Sequence, residues 1–211
     1  MKISDIKVQK RNKRRYSVYI DGAYAFSLDE NTLSGAGLRV DREIDEQEIA
    51  TLVLKDEFYR ARDYGYLLLS YRDRSERELR KRLLDKGFHR GVAEEVLGFF
   101  KAESLVDDRV FAERWMESVL SGRPMGEMRV RHELRAKLVE DGIIDEVLAA
   151  GFDLEREREL ARRAAEKKAR SLDGYPADTA RRRFTQHLRN RGFRFDIIHE
   201  LVKEFYGEDI A

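Results

Sequence analysis

The sequence predicts a mainly α-helical protein in which three tandem three-helix repeats form an elongated, curved array behind a small N-terminal module that contains a β-hairpin. Two observations lead to this fold class. The charged segment Ser75–Leu97 keeps a strict spacing of apolar residues, and the same pattern returns twice further along the chain. The N-terminal segment instead alternates apolar and polar side chains, which is the periodicity of a β-strand. Repeats that stack on their neighbours form extended bodies, so we expect an elongated array.

The N-terminal module is predicted from the segment YSVYIDGAYAFSL, residues 16–28. Asp21-Gly22 separates two alternating runs, and this dipeptide suits a type I′ hairpin turn, in which both central residues need positive φ. The preceding ISDIKVQK supplies a third strand, and DENTLSGAGL reads as a short capped helix that ends at glycines. The next segment, DEQEIATLVLKDEFYRARDYGYLLLSY, is predicted to be helical. We assign residues 1–58 to this module.

The repeats are defined by apolar positions that coincide when the chain is shifted by 51 and by 105 residues. Within each unit, the first two positions lie four residues apart on one helical face, as do the last two. The superposed sets are Leu79, Val130 and Phe184; Leu83, Leu134 and Leu188; Phe88, Val139 and Phe193; Val92, Ile143 and Ile197; and Val96, Val147 and Leu201. Gly87 and Gly192 stand at the left-handed capping position where the first of these helices ends. The second repeat has Leu138 there, which leaves open how that helix ends.

A further helix precedes each of these helix pairs. ARDYGYLLLSYR (61–72) and AERWMESVLSGR (112–123) align at the shift of 51, which places Trp115 over Tyr64. Core packing is the favoured interpretation of these two aromatic residues, and stacking on nucleic-acid bases is the alternative. The only two prolines, Pro124 and Pro176, fall in the loops that follow this helix, where a residue that interrupts helices is tolerated. The predicted repeats are residues 61–104, 105–152 and 153–207.

The composition limits the class of protein. Lys+Arg number 42 and Asp+Glu 41, so the net charge of +1 argues against a purely electrostatic nucleic-acid coat but permits local basic patches. The sequence has no cysteine, which excludes disulfides and Cys-based zinc sites. Aliphatic runs such as Leu67–Leu69 are far too short to span a bilayer, and the charged start MKISDIKVQKRNKRR has no apolar segment behind it. We therefore expect no signal peptide, no membrane contact and a cytoplasmic location.

No motif for catalysis or metal binding emerges from the sequence. The four histidines lack ligand spacing, so we interpret them as ordinary surface or rim residues. Asp107-Asp108 resembles a carboxylate pair, but its place before the apolar segment RVFAERW favours a helix N-cap over acid–base catalysis. We therefore predict that the protein is not an enzyme and has no catalytic residue, no cofactor and no metal.

The basic residues fall into two groups by helical geometry. Lys86, Lys137 and Arg191 share one repeat position in the last turn of a helix, where a cation complements the macrodipole and the free carbonyls. A second group points away from the apolar stripe, on the opposite side of the same helices. This group and the basic turn RNKRR supply our candidates for contact with a partner or DNA: Arg77, Lys81, Arg131, Arg135, Arg182, Arg189, Lys13, Arg14 and Arg15. The alternative is an ordinary solvated face, since 39% of the residues are charged.

The repeats resemble a known family. SYRDRSERELRKRLLDKGF and the later VAEEVLGFFKAESLVDDRVFAERWMESVLSGRPMGEMRVRHELRAKLV look like the RecX family of bacterial regulatory proteins. The likeness runs from Ala61 to Tyr206 and is most specific in RSERELRKRLLDKGF and LVDDRVFAERW, including the spacing between them. The strand-forming N-terminal module is similar to that of the longer family members. The third repeat departs most from the family's pattern.

The resemblance implies a modulator of RecA, the recombinase that polymerises on single-stranded DNA. Family members are expected to lie along the groove of the RecA filament, to inhibit its ATP hydrolysis and strand exchange, and to limit its growth or promote its disassembly. The resemblance implies no catalytic residue and no cofactor, and we expect a monomer with at most weak direct contact to DNA. Two alternatives remain, a direct DNA-binding protein of tandem helix-turn-helix-like repeats and a purely structural helical scaffold.

Overall fold

The structure is a computed structural model that describes residues 1–207. In this part of the chain three strands precede ten helices. The strands are β1 (Ile3–Val8), β2 (Arg15–Ile20) and β3 (Ala23–Asp29), and the helices are α1 (Glu30–Gly35), α2 (Glu46–Tyr71), α3 (Glu76–Asp85), α4 (Arg90–Ala102), α5 (Asp108–Gly122), α6 (Glu127–Ala136), α7 (Asp141–Gly151), α8 (Leu154–Arg170), α9 (Ala177–Asn190) and α10 (Phe195–Tyr206). The chain separates into two compact units, Met1–Arg72 with Leu79–Glu103, and Asp73–Glu78 with the chain from Ser104 onward.

The N-terminal sheet is antiparallel, with β2 between β1 and β3. Asp21 and Gly22 connect β2 to β3 with φ of 49° and 85°, as the Asp-Gly pair predicted for a type I′ turn. Ile3 and Val18 of the sheet are fully buried and share an apolar cluster with Leu52 of α2. The predicted hairpin module with its third strand is confirmed.

Helix α2 is shared between the N-terminal module and the first repeat. It contacts β3 and also α4, and it continues without a break through residues 58–61, where the sequence placed the boundary. Asp56 is buried within α2 and accepts hydrogen bonds from the Arg15 guanidinium at 3.0 Å and from the Asp29 N–H at 2.6 Å. Further along α2, Gly65 allows close packing, because a Cβ there would lie 2.4 Å from the Phe100 ring.

The three-helix repeats are confirmed. In each of them the first helix packs against the third, as α2 on α4, α5 on α7 and α8 on α10. Two of the predicted stripe positions are 0% exposed in all three repeats, and these residues are Leu79, Val130, Phe184, Leu83, Leu134 and Leu188. At a third position Ile143 is only partly buried, and its neighbour Ile144 is fully buried in its place.

The second helix of every repeat ends in the same way, with or without glycine. Gly87, Leu138 and Gly192 follow α3, α6 and α9 with φ of 93°, 64° and 76°. In each case the next amide N–H donates to a carbonyl five residues back, as from Val139 to Leu134 at 3.2 Å. This is the Schellman arrangement, which closes a helix in the left-handed conformation. The second repeat therefore ends its helix at a leucine that adopts a backbone conformation normally reserved for glycine.

Two equivalent joints, each between the start of one helix and the end of another, lie within the second unit. Buried Ser75, just before α3, donates its hydroxyl to the carbonyl oxygen of Lys137 at 2.5 Å. Gly126, which corresponds to Ser75 at the shift of 51, donates its backbone N–H to the carbonyl oxygen of Arg191 at 2.8 Å. Lys137 and Arg191 occupy the same repeat position. In the first joint the start of α3 therefore contacts the end of α6, and in the second the start of α6 contacts the end of α9.

Carboxylates reinforce both joints. Asp108 on α5 accepts a hydrogen bond from the first N–H of α3, that of Glu76, at 2.7 Å. Glu157 on α8 does the same for the first N–H of α6, that of Glu127, and it also accepts from the N–H of Arg194 before α10. The predicted N-cap before α5 is confirmed for Asp107, whose side chain accepts from the Val110 N–H at 3.0 Å. Neighbouring Asp108 has a different structural role, because it caps a helix of the preceding repeat.

Candidate partner-binding surface

The outward basic residues of α3 differ in how they are engaged. The side chain of Arg77 is 53% exposed and lies 3.3 Å from the Glu140 carboxylate. Lys81 is exposed and has no ion-pair partner within residues 1–207. Of these two residues, Lys81 is the one whose charge remains available to a partner.

Arg131 on α6 is engaged within its own repeat. It forms ion pairs with Asp145 of α7 and with Glu127, the latter at 3.0 Å, and these hydrogen bonds, led by that of Asp145, raise the pKa of its guanidinium. At the shift of 51 the first pair corresponds to Arg80 with Glu94, which share two hydrogen bonds of 2.8 and 3.0 Å. Contrary to the prediction, Arg131 does not point freely outward, because an acidic residue on the next helix lies within its reach.

The other predicted residues on α6 and α9 also vary. Arg135 lies 2.6 Å from Asp141, and this hydrogen bond holds the pKa of the Asp141 carboxyl below its usual value. On α9, Arg182 is exposed and unpaired in the described part of the chain, and the Arg189 guanidinium lies 5.9 Å from the centre of the Phe195 ring. Arg182 is therefore the most available cation of the predicted set on α9.

The basic turn between β1 and β2 contains both free and engaged residues. Lys13 and Arg14 are exposed. Arg15 is not outward as predicted, since its side chain is only 17% exposed and pairs with buried Asp56. It also donates to the Ser27 carbonyl oxygen at 2.9 Å, so it joins β3 to α2. Sequence reasoning grouped these three residues because they are adjacent in one basic turn. The inward direction of Arg15 depends on its contact with α2, which the local sequence does not show.

The basic residues at the ends of the second helices lie over aromatic rings. The Lys86 ammonium lies 5.4 Å from the centre of the Tyr64 ring, and that of Lys137 lies 5.3 Å from the Trp115 ring. Both rings are partly buried, as the core interpretation predicted. These repeated cation–π contacts add to the helix-terminus role predicted for the two lysines.

Sequence reasoning missed a second basic cluster, where α8 and α9 meet the loop before α6. Its members are Arg123, Arg163, Lys167, Lys168 and Arg191. The signal was the run ARRAAEKKAR in α8, which was read only as the first helix of the third repeat. Within residues 1–207, no helix has the length and apolar character needed to cross a membrane, and no group of three potential ligand side chains could hold a metal ion.

The fold and surface define a class of protein built from three-helix repeats behind a small antiparallel sheet, with charged helical surfaces available for contact. Family models match four successive parts of the chain. They are the regulatory protein RecX N-terminal domain at residues 1–45 and the first, second and third RecX three-helix domains at residues 61–100, 107–148 and 155–202. The chain belongs to the RecX family of regulatory proteins, and it is a regulatory protein, not an enzyme.

Curated relatives cover nearly the whole chain. The regulatory protein RecX of Clostridium botulinum (strain Alaska E43 / Type E3) is 30% identical over 205 residues, which is 96% of this chain and 95% of the relative. That of Clostridium perfringens (strain SM101 / Type A) is 30% identical over 210 residues, with 99% and 98% covered. A crystal structure of regulatory protein RecX matches with a TM-score of 0.70 and 30% identity, over 96% of this chain and 98% of that one. RecX from Lactobacillus salivarius matches in fold, with a TM-score of 0.63 and 21% identity over 72% of this chain and 97% of that one.

Proposed function

We propose that the protein binds the RecA filament on single-stranded DNA, along the filament groove, and inhibits its ATPase and strand-exchange activities. It would act as a monomer in the cytoplasm, during DNA repair, recombination and the SOS response. The observation that carries this proposal is the match of all four RecX domains in order along one chain. Repeated units present extended surfaces instead of pockets, which suits a long partner.

The distribution of engaged and free charge supports a binding role for particular residues. Arg77, Arg131 and Arg135 are held by acids of the same protein, so they offer less charge to a partner. Lys81 and Arg182 are exposed and unpaired within residues 1–207. A charge at the rim of an interface acts mainly through electrostatic complementarity and the association rate. We therefore infer that Lys81 and Arg182 contribute more to filament binding than the paired arginines.

The test is ATP hydrolysis by preformed RecA filaments, measured against increasing amounts of the protein. We expect the unmodified protein to suppress hydrolysis below one molecule per RecA protomer. The Lys81→Glu/Arg182→Glu variant should need about tenfold more protein for the same suppression, because two attractive charges become repulsive. The matched control is Lys55→Glu/Arg90→Glu, which makes the same charge change at exposed residues of α2 and α4. It should inhibit like the unmodified protein.

Three outcomes would count against the proposal. Undiminished hydrolysis with the unmodified protein would remove the filament function itself. Equal inhibition by the Lys81→Glu/Arg182→Glu variant and the control would remove only the residue assignment. Tight binding to bare DNA with a steep dependence on salt, without any effect on hydrolysis, would favour the direct DNA-binding alternative.

A further inference from the structure

A basic cavity of about 650 Å³ lies in the second unit, between the loop before α6 and helices α8 and α9. The charged and titratable side chains that line it are Arg123, Arg163, Lys167, Lys168, His187 and Arg191. Among residues 1–207, no aspartate or glutamate contributes to this lining. A lining that contains several basic residues and no acidic one is unexpected in a chain whose acids and bases are nearly equal in number.

Neighbouring groups compensate little of this positive charge. Arg163 and Arg191 each donate to a backbone carbonyl oxygen at 3.1 Å, and these acceptors carry no net charge. Arg123 forms an ion pair with a glutamate of α6 at 3.2 Å. Lys167 and Lys168 have no ion-pair partner in the part of the chain that the structure describes. The backbone contacts account for the position of the two arginines, but no contact of this kind accounts for the two lysines.

The electrostatics of the cavity favour an anion. Burial, followed by repulsion from Arg123 and Arg129, lowers the pKa of the Arg191 guanidinium. Burial also lowers the pKa of His187, and Arg191 and Lys168 lower it further. Partly buried cations that repel one another are costly unless an opposite charge joins them. A bound anion would supply that charge.

The basic lining extends beyond this cavity. A second cavity of about 630 Å³ shares Arg123, His187 and Arg191 with the first and continues to Arg129 of α6 and Asn190 at the end of α9, with Glu133 of α6 as the one acid among the lining residues that the structure describes. Each cavity lies within the roughly 300–1,000 Å³ that ligand sites usually occupy, so together they exceed the needs of one small ion. Cations that follow one another along a cleft match a ligand whose negative charges also follow one another. Together the two cavities form the basic cleft of α8 and α9.

Phosphodiesters provide this pattern of charge. Arginine binds phosphate oxygens through two parallel N–H groups, and lysine binds them as a point charge. A single strand is flexible enough to follow a concave surface, whereas duplex DNA bends only over a persistence length of about 150 base pairs. We propose that the basic cleft of α8 and α9 binds the phosphodiester backbone of single-stranded nucleic acid, with Lys167, Lys168 and Arg191 contacting phosphate oxygens. This inference goes beyond the proposed function, because it concerns binding by the free protein.

The test is the affinity of the isolated protein for a fluorescent oligothymidine, measured by anisotropy in a phosphate-free buffer at several salt concentrations. Lys167→Glu/Lys168→Glu should weaken binding at least tenfold at low salt. The slope of log affinity against log salt should fall by about 1.4, since each phosphate contact on a single strand contributes about 0.7. The control Lys55→Glu/Arg90→Glu makes the same charge change outside the cleft and should alter affinity less than threefold, as expected for long-range effects alone. Equal affinities of the two variants would overturn the proposal.

Competitors identify the ligand. Unlabelled oligothymidine should displace the probe, while inorganic phosphate at the same phosphate concentration and polyglutamate at the same charge should displace little. Full displacement by inorganic phosphate would mean a site for a free anion and would overturn the proposal. Equal binding of polyglutamate would indicate an acidic protein segment as the ligand, and equal binding of duplex DNA would remove the preference for a single strand; either result also overturns it.

A second measurement is independent of the charge-reversal variants. Because the chain has no cysteine, Lys167→Cys carries a single thiol to which a photoactivatable crosslinker can be attached. We expect this variant to crosslink to oligothymidine, while Lys55→Cys on α2 should not. Absence of crosslinks from position 167 in a protein with unchanged circular dichroism would overturn the proposal even if the reversal variant fails to fold.

Discussion

Glu157 illustrates how one buried residue supports two helices. Its side chain is 2% exposed on α8 and accepts backbone hydrogen bonds from Glu127, where α6 begins, and from Arg194, just before α10. Gly126 and Arg194, the N-cap residues of these helices, provide no capping side chain of their own. Glu157 therefore satisfies backbone donors that the local sequence leaves without a partner.

Glu157→Ala should lower the free energy of unfolding by about 1–2 kcal/mol, because it removes the side-chain acceptor of backbone N–H groups at two helix N-termini. Chemical denaturation with urea gives this difference. The matched control is Glu159→Ala, which removes the same side chain from an exposed position of α8. It should change stability by no more than about 0.5 kcal/mol, as is usual for surface sites. A similar loss in both variants would show that Glu157 does not cap these helices.

The same residue gives the stability of the protein a dependence on pH. Burial raises the pKa of Glu157 above its ordinary value of 4.5, so the folded state holds this proton more tightly than the unfolded state. The resulting stabilisation is complete below the ordinary pKa and is lost as pH rises through the raised pKa. The stability of the unmodified protein relative to Glu157→Gln, which does not titrate, should therefore be lower at pH 7 than at pH 4. A pH-independent difference in urea denaturation would contradict this expectation.

Single residues also mark the limit of prediction from the sequence. The burial of Leu79 and Leu83 was predictable, because helical periodicity alone places them on one face. The directions of Arg15 and Arg131 were not, since each side chain turns toward an acid on another element. Leu138 was an ambiguous position for a different reason, because its backbone adopts a left-handed cap that a leucine side chain disfavours.

At the scale of secondary-structure elements, the ends of α3 and α9 allow the cost of a positive φ to be separated from the cost of steric crowding. Gly87 and Gly192 both have positive φ, but only Gly192 is also crowded. A Cβ at Gly87 would meet nothing within 4 Å, whereas one at Gly192 would lie 2.5 Å from the backbone nitrogen of Arg129. The first glycine is needed for its backbone conformation alone, and the second is needed for its size as well.

Gly87→Ala should therefore destabilise the protein by about 1 kcal/mol, the usual cost of a left-handed conformation with a Cβ. Gly192→Ala should cost at least about 2–3 kcal/mol, because overpacking against backbone adds to that strain. Urea denaturation of both variants measures the difference. Equal losses would mean that the contact with α6 relaxes freely, contrary to the close packing at this helix end.

The elements themselves were largely predictable because their signals are local. Asp21-Gly22 specifies a turn through backbone conformation, and the apolar stripes specify helices through their period. The extent of α2 shows the opposite case. The helical pattern covered all of Glu46–Tyr71, but local sequence could not reveal that one helix serves both the sheet and α4. That sharing depends on contacts between residues far apart in the chain.

At the scale of the whole molecule, the repeat is a structural unit whose joints recur along with its apolar stripe. The shift of 51 residues superposes Ser75 on Gly126 and the ion pair Arg80–Glu94 on Arg131–Asp145. The sequence revealed the stripe because apolar identity is retained at each position. It did not reveal the joints, because a serine hydroxyl in one repeat is replaced by a backbone N–H in the next.

The joint at Gly126 links the second and third repeats within the second unit, and its contribution can be tested directly. A Cβ at Gly126 would lie 2.2 Å from the carbonyl oxygen of Gly192 and 2.5 Å from the Cα of Phe193, both of which are backbone atoms. Gly126→Ala should therefore separate the end of α9 from the start of α6. In repeat proteins, stability is approximately the sum of repeat and interface contributions, so a damaged interface releases the terminal repeat first. We expect amide hydrogen exchange to accelerate in α8, α9 and α10 at urea concentrations where α5 and α7 remain protected.

The matched control for this experiment is Gly142→Ala in α7, where an added Cβ would meet nothing within 4 Å. That variant should be neutral or more stable by up to about 1 kcal/mol, because alanine favours the helix. If Gly126→Ala instead accelerates exchange uniformly across α5–α10, the second and third repeats unfold as one cooperative body, because the packing of α8 and α9 against their neighbours outweighs the joint. Selective acceleration would show that the backbone contact between Gly126 and Arg191 couples the two repeats, because that contact is the one that the added methyl group displaces.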